Sequence, residues 1–427
     1  MVTPAAGSWI VSVVLWMRLG PLAARPFRLL FFGRTVSLLG SAIAPIALAF
    51  AVLGISRSPA VLGLVVSARL IPTVLLALVG GVWADRLPRQ LVMTGTQLLS
   101  GAAQAATAAL LLLGQAQIWQ LVVLQMIGGA ASAFFLPALS GLVPQTVAAP
   151  QRQRANALLS LSASSSRVLG AALGGVLVAA VGAGWGIAID AASFFAAAAL
   201  LARIGVEPAA PRRRPGFAHE LAEGWSEFRA HPWLWASCGQ FAVVNALGVA
   251  SILVLGPVVA RDVYGGATAW GLIQASLAIG FVLGGLIAFR ISVRRPLLSG
   301  TLAGATITPA LLLFAVQAPP AVVAAAMLAV GMTASLFETL FTTELQRRIP
   351  EERLSRVMAY ELLASLAFVP IGAPAVGAVA STLGIQVTLC LSACIVLAVS
   401  LAPLGLKDIR RPQREIVAAA EPVPAPG

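Results

Sequence analysis

Apolar runs of roughly 20 residues or more alternate along the chain with short clusters of turn-forming and basic residues. Such a run is long enough to cross the hydrocarbon core of a bilayer as a helix, and lipid admits only helices or closed barrels as spanning structures. The pattern predicts twelve spanning helices. In the first half they lie at roughly 27–53, 60–83, 91–113, 118–143, 155–180 and 184–203. In the second half they lie at roughly 234–260, 268–289, 297–316, 320–343, 355–380 and 384–405. The expected fold class is an all-α polytopic membrane protein.

Composition agrees with the pattern. Hydrophobic residues make up 59% of the 427 residues and charged residues 10%, against about 25% charged in a soluble domain. A water-facing surface cannot be built from this chain. The net charge of +13 would suit nucleic acid only if it gathered on one soluble face, and it is scattered between the apolar runs. The preference for Arg over Lys and the abundance of Ala fit a GC-rich bacterial genome.

The scatter instead reports orientation. Of the 28 Lys and Arg residues, all but five fall in the N-terminal tail, the even-numbered loops and the C-terminal tail. Only Arg57 and Arg261 occupy the opposite loops, and Arg34, Arg69 and Arg167 lie within spans. By the positive-inside rule both termini and the central loop are expected to be cytoplasmic.

A shift of 202 residues lays Arg154 on Arg356, Ala157 on Ala359, Gly170 on Gly372, Gly175 on Gly377 and Gly182 on Gly384. Two pseudo-symmetric six-helix halves follow, an arrangement that places a substrate site near the midplane. The expected organisation is a lead-in over 1–26, a first half over 27–203, a linker over 204–233, a second half over 234–405 and a tail over 406–427. Trp9 to Met17 is apolar but short and lacks a basic flank before it, so it reads as an amphipathic lead-in or an over-extended start rather than a cleaved signal. In the linker, Phe217, Leu221, Trp225 and Phe228 share one side of a short helix, a pattern suited to an interface.

Cys238, Cys390 and Cys394 sit in apolar segments and read as buried small hydrophobes. His219 and His231 have no ligand partners nearby, so no metal or cofactor is expected. No nucleophile–base set or phosphate loop is present, so an enzyme is not expected.

The loop after the second span reads Gly81-Val82-Trp83-Ala84-Asp85-Arg86-Leu87-Pro88-Arg89-Gln90. It resembles the signature loop of the major facilitator superfamily, with Gly81, Asp85, Arg86 and Arg89 at matching positions; Pro88 and Gln90 depart from the pattern. Phe31 to Gly40, Ala133 to Ala138 and Asp190 to Phe194 resemble the siderophore-exporter and macrolide-efflux branch. The resemblance implies the major facilitator fold and a loop that latches the cytoplasmic gate. Gly170, Gly174 and Gly175 match the helix-packing run of the family's antiporters, although alanine stands where those antiporters carry proline. The fourth span lacks the arginine of many proton-coupled exporters and holds Gln125 instead.

Six charges lie inside spans: Arg34, Arg69, Arg167, Asp190, Glu338 and Glu361. A charge at the bilayer centre costs about 2.5–3.5 kcal/mol on insertion scales. Three positive and three negative groups suggest mutual pairing, with proton-coupling or gating roles; a register-holding lattice is the alternative. Glu344 reads as solvated near the basic end. Gln97, Gln104, Gln125, Asn156, Gln240, Asn245 and Gln274 are uncharged polar groups within spans. The resemblance places Gln125, Gln240 and Asn245 at the substrate cavity. Phe241, with Phe134, Phe135 and Trp270, supplies candidate stacking surfaces.

The expected activity is proton-coupled efflux of a hydrophobic or amphipathic small molecule such as a drug, siderophore or secondary metabolite, by a monomer in the plasma membrane of a bacterium. An importer of a metabolite, a lysolipid transporter, and a transport-inactive sensor or assembly factor are the alternatives. The expected partners are the small-molecule substrate, protons and the lipid bilayer, with no nucleic acid.

Overall fold

The computed structural model describes residues 20–84, 88–205, 225–226, 228–288, 290–291, 296–349, 354, 357–358, 361 and 367–405. Among them the regular structure is helical, without strands. Six helices form the first series: α1 (Arg25–Ile55), α2 (Pro59–Ala84), α3 (Arg89–Leu112), α4 (Ile118–Thr146), α5 (Arg152–Val181) and α6 (Ala183–Leu201). The second series is α7 (Pro232–Asp262), α8 (Ala267–Ala288), α9 (Pro296–Ala305 continued by Ile307–Ala315), α10 (Pro320–Arg348), α11 (Val369–Leu383) and α12 (Ile385–Leu401). Among the described residues, 10 helices are long and apolar enough to cross a membrane. With α3 and the shorter α11, the set is consistent with twelve crossings in an all-α integral membrane protein.

The polarity of α3 has a local cause. Gln97, Ser100, Gln104 and Thr107 fall at helical spacing on one side, and all four are buried. A membrane helix can turn its polar stripe inward, because the lipid side needs apolar groups and the interior offers hydrogen-bond partners. Two other helices depart from the expected continuous spans. In α7, Val244–Val249 is a π-helical segment, a local widening that is rare in helices. In α9, regular α-helix is interrupted at Thr306, whose hydroxyl bonds to the Ala303 carbonyl.

The internal repeat has a structural counterpart. Gly182 joins α5 to α6 at φ 89° and ψ 164°, and Gly384 joins α11 to α12 at φ 86° and ψ 157°. Only glycine adopts such angles readily. A Cβ at Gly170 would strike Ala42 of α1, and one at Gly372 would strike the Ala246 carbonyl of α7. A Cβ at Gly129 of α4 would meet the Arg69 carbonyl, and one at Gly331 of α10 the Leu277 carbonyl. Equivalent helices thus approach backbone to backbone in both series, as small residues permit in lipid.

The described residues divide into two compact units. The first contains α1 up to Ala51 and continues from Ala68 through α6; the second contains α7 to α12 together with Val52–Ser67. Within the second, a Cβ at Gly63 would strike the Ala373 carbonyl, and one at Gly377 would strike the Pro59 carbonyl. Arg261 also donates to the Leu53 carbonyl at 3.3 Å.

Several expected features fall outside the described residues: Trp9 to Met17, Asp85, Arg86, His219, the tail from 406 and most of the linker, including Phe217 and Leu221. At the linker's end, Trp225 and Phe228 are helical and their rings stack at 5.7 Å. Phe228 is buried with Trp233, Leu234, Leu345 and Ile349. Of the three cysteines, only Cys238 is buried; Cys390 and Cys394, one turn apart on the outer side of α12, are exposed. That corrects the expectation of three buried thiols.

Candidate functional site

Each unit concentrates its polar chemistry in one place. In the first, Asp190 on α6 is completely buried. Gln104 on α3 donates to its carboxylate at 2.6 Å, and Ser41 on α1 donates at 3.3 Å. The Gln104 carbonyl oxygen accepts from Gln125 on α4 at 3.3 Å, and the Gln125 carbonyl oxygen accepts from Arg69 on α2 at 3.4 Å. One chain of side-chain hydrogen bonds therefore runs from a guanidinium to a carboxylate across four helices. Gln97 and Ser37 form a second buried pair at 3.2 Å.

Between Arg69 and Asp190 this chain takes the place of a direct ion pair. Among the described residues, neither Arg69 nor Asp190 makes an ion pair; two glutamines carry the polarity between them. Arg34 is half-buried, its Nε lacks a partner among the described residues, and Arg167 is close enough to repel it. Gln125 was expected at a cavity, but it is buried with both ends of its amide engaged.

In the second unit the equivalent place is a void. A cavity of about 750 Å³ is lined from α7, α8, α9, α10 and the segment carrying Met358 and Glu361. The two packing glycines, Gly129 and Gly331, set the correspondence: Arg69 falls at Leu277 and Gln125 at Met327. The positive-φ turns at Gly114 and Gln317, which follow α3 and α9, bring Gln104 to Thr306–Ile307. Leu277, Thr306, Ile307 and Met327 all line the cavity. Asp190 corresponds to Ser392, which receives a hydrogen bond from Ser251 at 3.1 Å as Asp190 does from Ser41. Large polar side chains fill the first unit where smaller or apolar ones leave the second open.

Asn245, Phe241, Glu338 and Glu361 line this cavity, as does Gln274, whose carbonyl oxygen is buried without a partner among the described residues. Gln240 is buried beside it and donates to the Thr301 carbonyl at 2.9 Å. Sequence reasoning missed Phe337 and Phe341, one turn apart on α10 on either side of Glu338. Their rings meet Phe241 at 4.7 and 5.3 Å. The i, i+4 spacing was the available signal. Of the other aromatic candidates, Trp270 is buried against Phe314, and Phe135 packs in an apolar cluster of the first unit.

The ends of the helices that bear the arginines carry two further nodes. Arg89 donates to the Gly141 carbonyl of α4 at 2.6 Å. Gln90 donates to the carbonyls of Leu201 and Ala202, each at 3.0 Å, and so caps α6. Its departure from the basic residue of the signature loop therefore has a use: a neutral amide satisfies two orphan carbonyls. Gly81 lies within α2. Glu344, expected to be solvated, is buried between Arg348 at 2.9 Å and Arg347 at 3.5 Å. Arg348 in turn lies over the Trp233 ring at 4.9 Å. Gly170 and Gly174 pack α5 on α1, and Gly175 is buried on the same helix.

Among the described residues no cluster of His, Cys, Asp and Glu is arranged to hold a metal. The pairing of an apolar cavity with a few polar groups suits a small-molecule site.

Known proteins extend this picture. The chain is 31% identical over 173 residues to the MFS-type transporter YfiS of Bacillus subtilis, 40% of each chain. It is 25% identical over 268 residues to macrolide efflux protein A of Streptococcus pyogenes, covering 61% of this chain and 65% of that one. With the enterobactin exporter EntS of Escherichia coli O1:K1 it shares 25% identity over 358 residues, 82% of this chain and 83% of that one. It thus spans less than two thirds of the first two relatives and most of the third. Among solved structures, the nucleoside transporter NupG superposes with a TM-score of 0.74 at 11% identity, covering 89% of this chain and 99% of that one. A bacterial homologue of the human lysosomal transporter Spinster superposes at 0.69 and 16% identity, over 90% of this chain and 96% of that one. Residues 30–364 match the Major Facilitator Superfamily as a family. On that match the chain, with its two six-helix series, belongs to the Major Facilitator Superfamily and is a membrane transporter rather than an enzyme.

Proposed function

We propose that the protein is a proton-coupled exporter of an amphipathic small molecule, working by alternating access. The observation that carries this reading is the second unit's cavity: mostly apolar, large enough for a drug-sized solute, and holding Glu338 and Glu361. Export is supported by the relatives named as a macrolide efflux protein and an enterobactin exporter. The distribution of arginines supports both termini in the cytoplasm; the reading takes the protein as a plasma-membrane monomer with halves at 27–203 and 234–405, a linker over 204–233 and a tail over 406–427.

The chemistry assigns roles to named groups. Glu338 and Glu361, the carboxylates that line the cavity, are the groups we assign to exchanging a proton for solute as the cavity changes the side it opens to. Asp190 and Arg69, linked through two amides, form a second place where proton uptake would rearrange hydrogen bonds; Arg34 and Arg167 supply the opposing charge. Arg89, with Asp85 and Arg86, latches the cytoplasmic end. Asn245, which lines the cavity, orients solute; Gln240 supports the wall through the Thr301 carbonyl, and Gln125 holds the first unit's polar chain.

The test is accumulation of a labelled panel, including a macrolide and a catecholate siderophore, in pump-deficient cells with and without a protonophore. The reading expects lower accumulation that the protonophore abolishes, and full retention of drive in Glu338→Gln would remove that residue from coupling.

A further inference from the structure

We propose that the second unit's cavity selects a lipophilic cation: an organic molecule with a diffuse positive charge and apolar bulk. This rests on the reading of that cavity as the substrate site and adds its charge class. Three observations point the same way. Among the described residues that line the cavity, two are carboxylates and none is basic. Glu338 forms no ion pair among the described residues. Beside it, Phe241, Phe337 and Phe341 form a mutually packed cluster, with the Phe337 and Phe341 centroids 5.4 Å apart.

Ring faces carry negative electrostatic potential and attract cations within about 6 Å. A carboxylate beside three such rings therefore makes a site of one sign. Its breadth also discriminates among cations. A small hydrated metal ion needs several oxygen ligands close together, and no group of three or more candidate metal ligands occurs among the described residues. A cation with delocalised charge is weakly hydrated, so little is lost when apolar walls and ring faces replace its water. The unpartnered Gln274 carbonyl oxygen adds an acceptor and no positive charge. In the first unit Arg34 and Arg167 are the opposite kind of pair, and an anionic solute is what they would favour. The carboxylates share a described cavity with an aromatic cluster, and for that reason we assign the charge to them.

The experiment uses three probes of similar shape: tetraphenylphosphonium, the anion tetraphenylborate and neutral triphenylphosphine oxide. Equilibrium binding is measured to the purified full chain in nanodiscs of zwitterionic lipid. The phosphonium is expected to bind saturably and at least about tenfold more tightly than either competitor, a difference of one decade in Kd. Glu338→Gln should remove most of that preference, and Phe337→Leu should weaken the phosphonium while leaving the oxide nearly unchanged. Size-exclusion profile and melting temperature establish that each variant is folded. Equal binding of the three probes, tighter binding of the borate, or a preference untouched in folded Glu338→Gln and Glu361→Gln variants overturns the proposal. Proteoliposomes under an imposed pH gradient separate the two readings. Phosphonium that binds selectively but is not moved leaves the cation site standing and ends the export reading. Gradient-driven movement of the borate or the oxide alone keeps the export reading and ends the cation site.

Discussion

In the first unit, Asp190 has no exposed surface and is answered by Ser41, Gln104 and, through Gln125, Arg69. In the second, Leu277, Met327 and the Thr306–Ile307 break occupy the corresponding helix positions and line a cavity that Glu338 shares. One repeated framework thus holds a polar lattice in the first unit and an opening in the second. The difference teaches where each kind of substitution should register: lattice changes in folding, and cavity changes in transport.

The largest effect on folding is expected at Asp190. Replacing it with Ala strips two donors of their acceptor and leaves the Arg69 guanidinium buried without its distant counter-charge. Loss of one member of such a buried set costs about 3 kcal/mol or more, read as a lowered melting temperature in detergent. Asp190→Asn keeps the shape and should cost less. A similar cost from Glu338→Ala would break the distinction between the units.

Next come the packing glycines. Gly372→Ala drives a methyl group into a backbone carbonyl, whereas Gly170→Ala meets chiefly the Ala42 methyl group. Both should destabilise, by about 1–3 kcal/mol as overpacking does, with Gly372→Ala the worse of the two. Thermal unfolding of the two single variants decides the order.

Gln90→Ala removes two hydrogen bonds to the end of α6 and should cost about 1 kcal/mol. Gln90→Lys, which restores the basic residue of the signature loop, can still donate and should recover part of the loss. The smallest effect on stability is expected from Glu338→Gln, within about 0.5 kcal/mol of the parent, although gradient-driven transport should fall most. A cavity-filling change, Met327→Phe, sharpens the same point: it should preserve melting temperature while blocking solute.

Much of the framework could be read from residues alone. Run lengths set the helices, and the match of Gly182 with Gly384 proved to be a shared backbone joint. The lattice could not be read in the same way. Asp190 meets Gln104 and Ser41 across helices, 86 and 149 positions away in sequence, and no local spacing encodes such a meeting. The break at Thr306 and the π-segment at Val244–Val249 were invisible because hydropathy averages over a turn and does not register one displaced hydrogen bond. Glu344 was misread for another reason. Nearness to the basic end suggests solvation, although i+3 and i+4 spacing also places Arg347 and Arg348 beside it.

The joint at Gly182 and Gly384 makes the molecule its own control. The same elbow occurs twice in one chain, with the same rare backbone angles and in the same membrane. Changing each copy in turn cancels whatever is intrinsic to a residue in that conformation. What is left over measures how far two copies of one backbone joint depend on different neighbours.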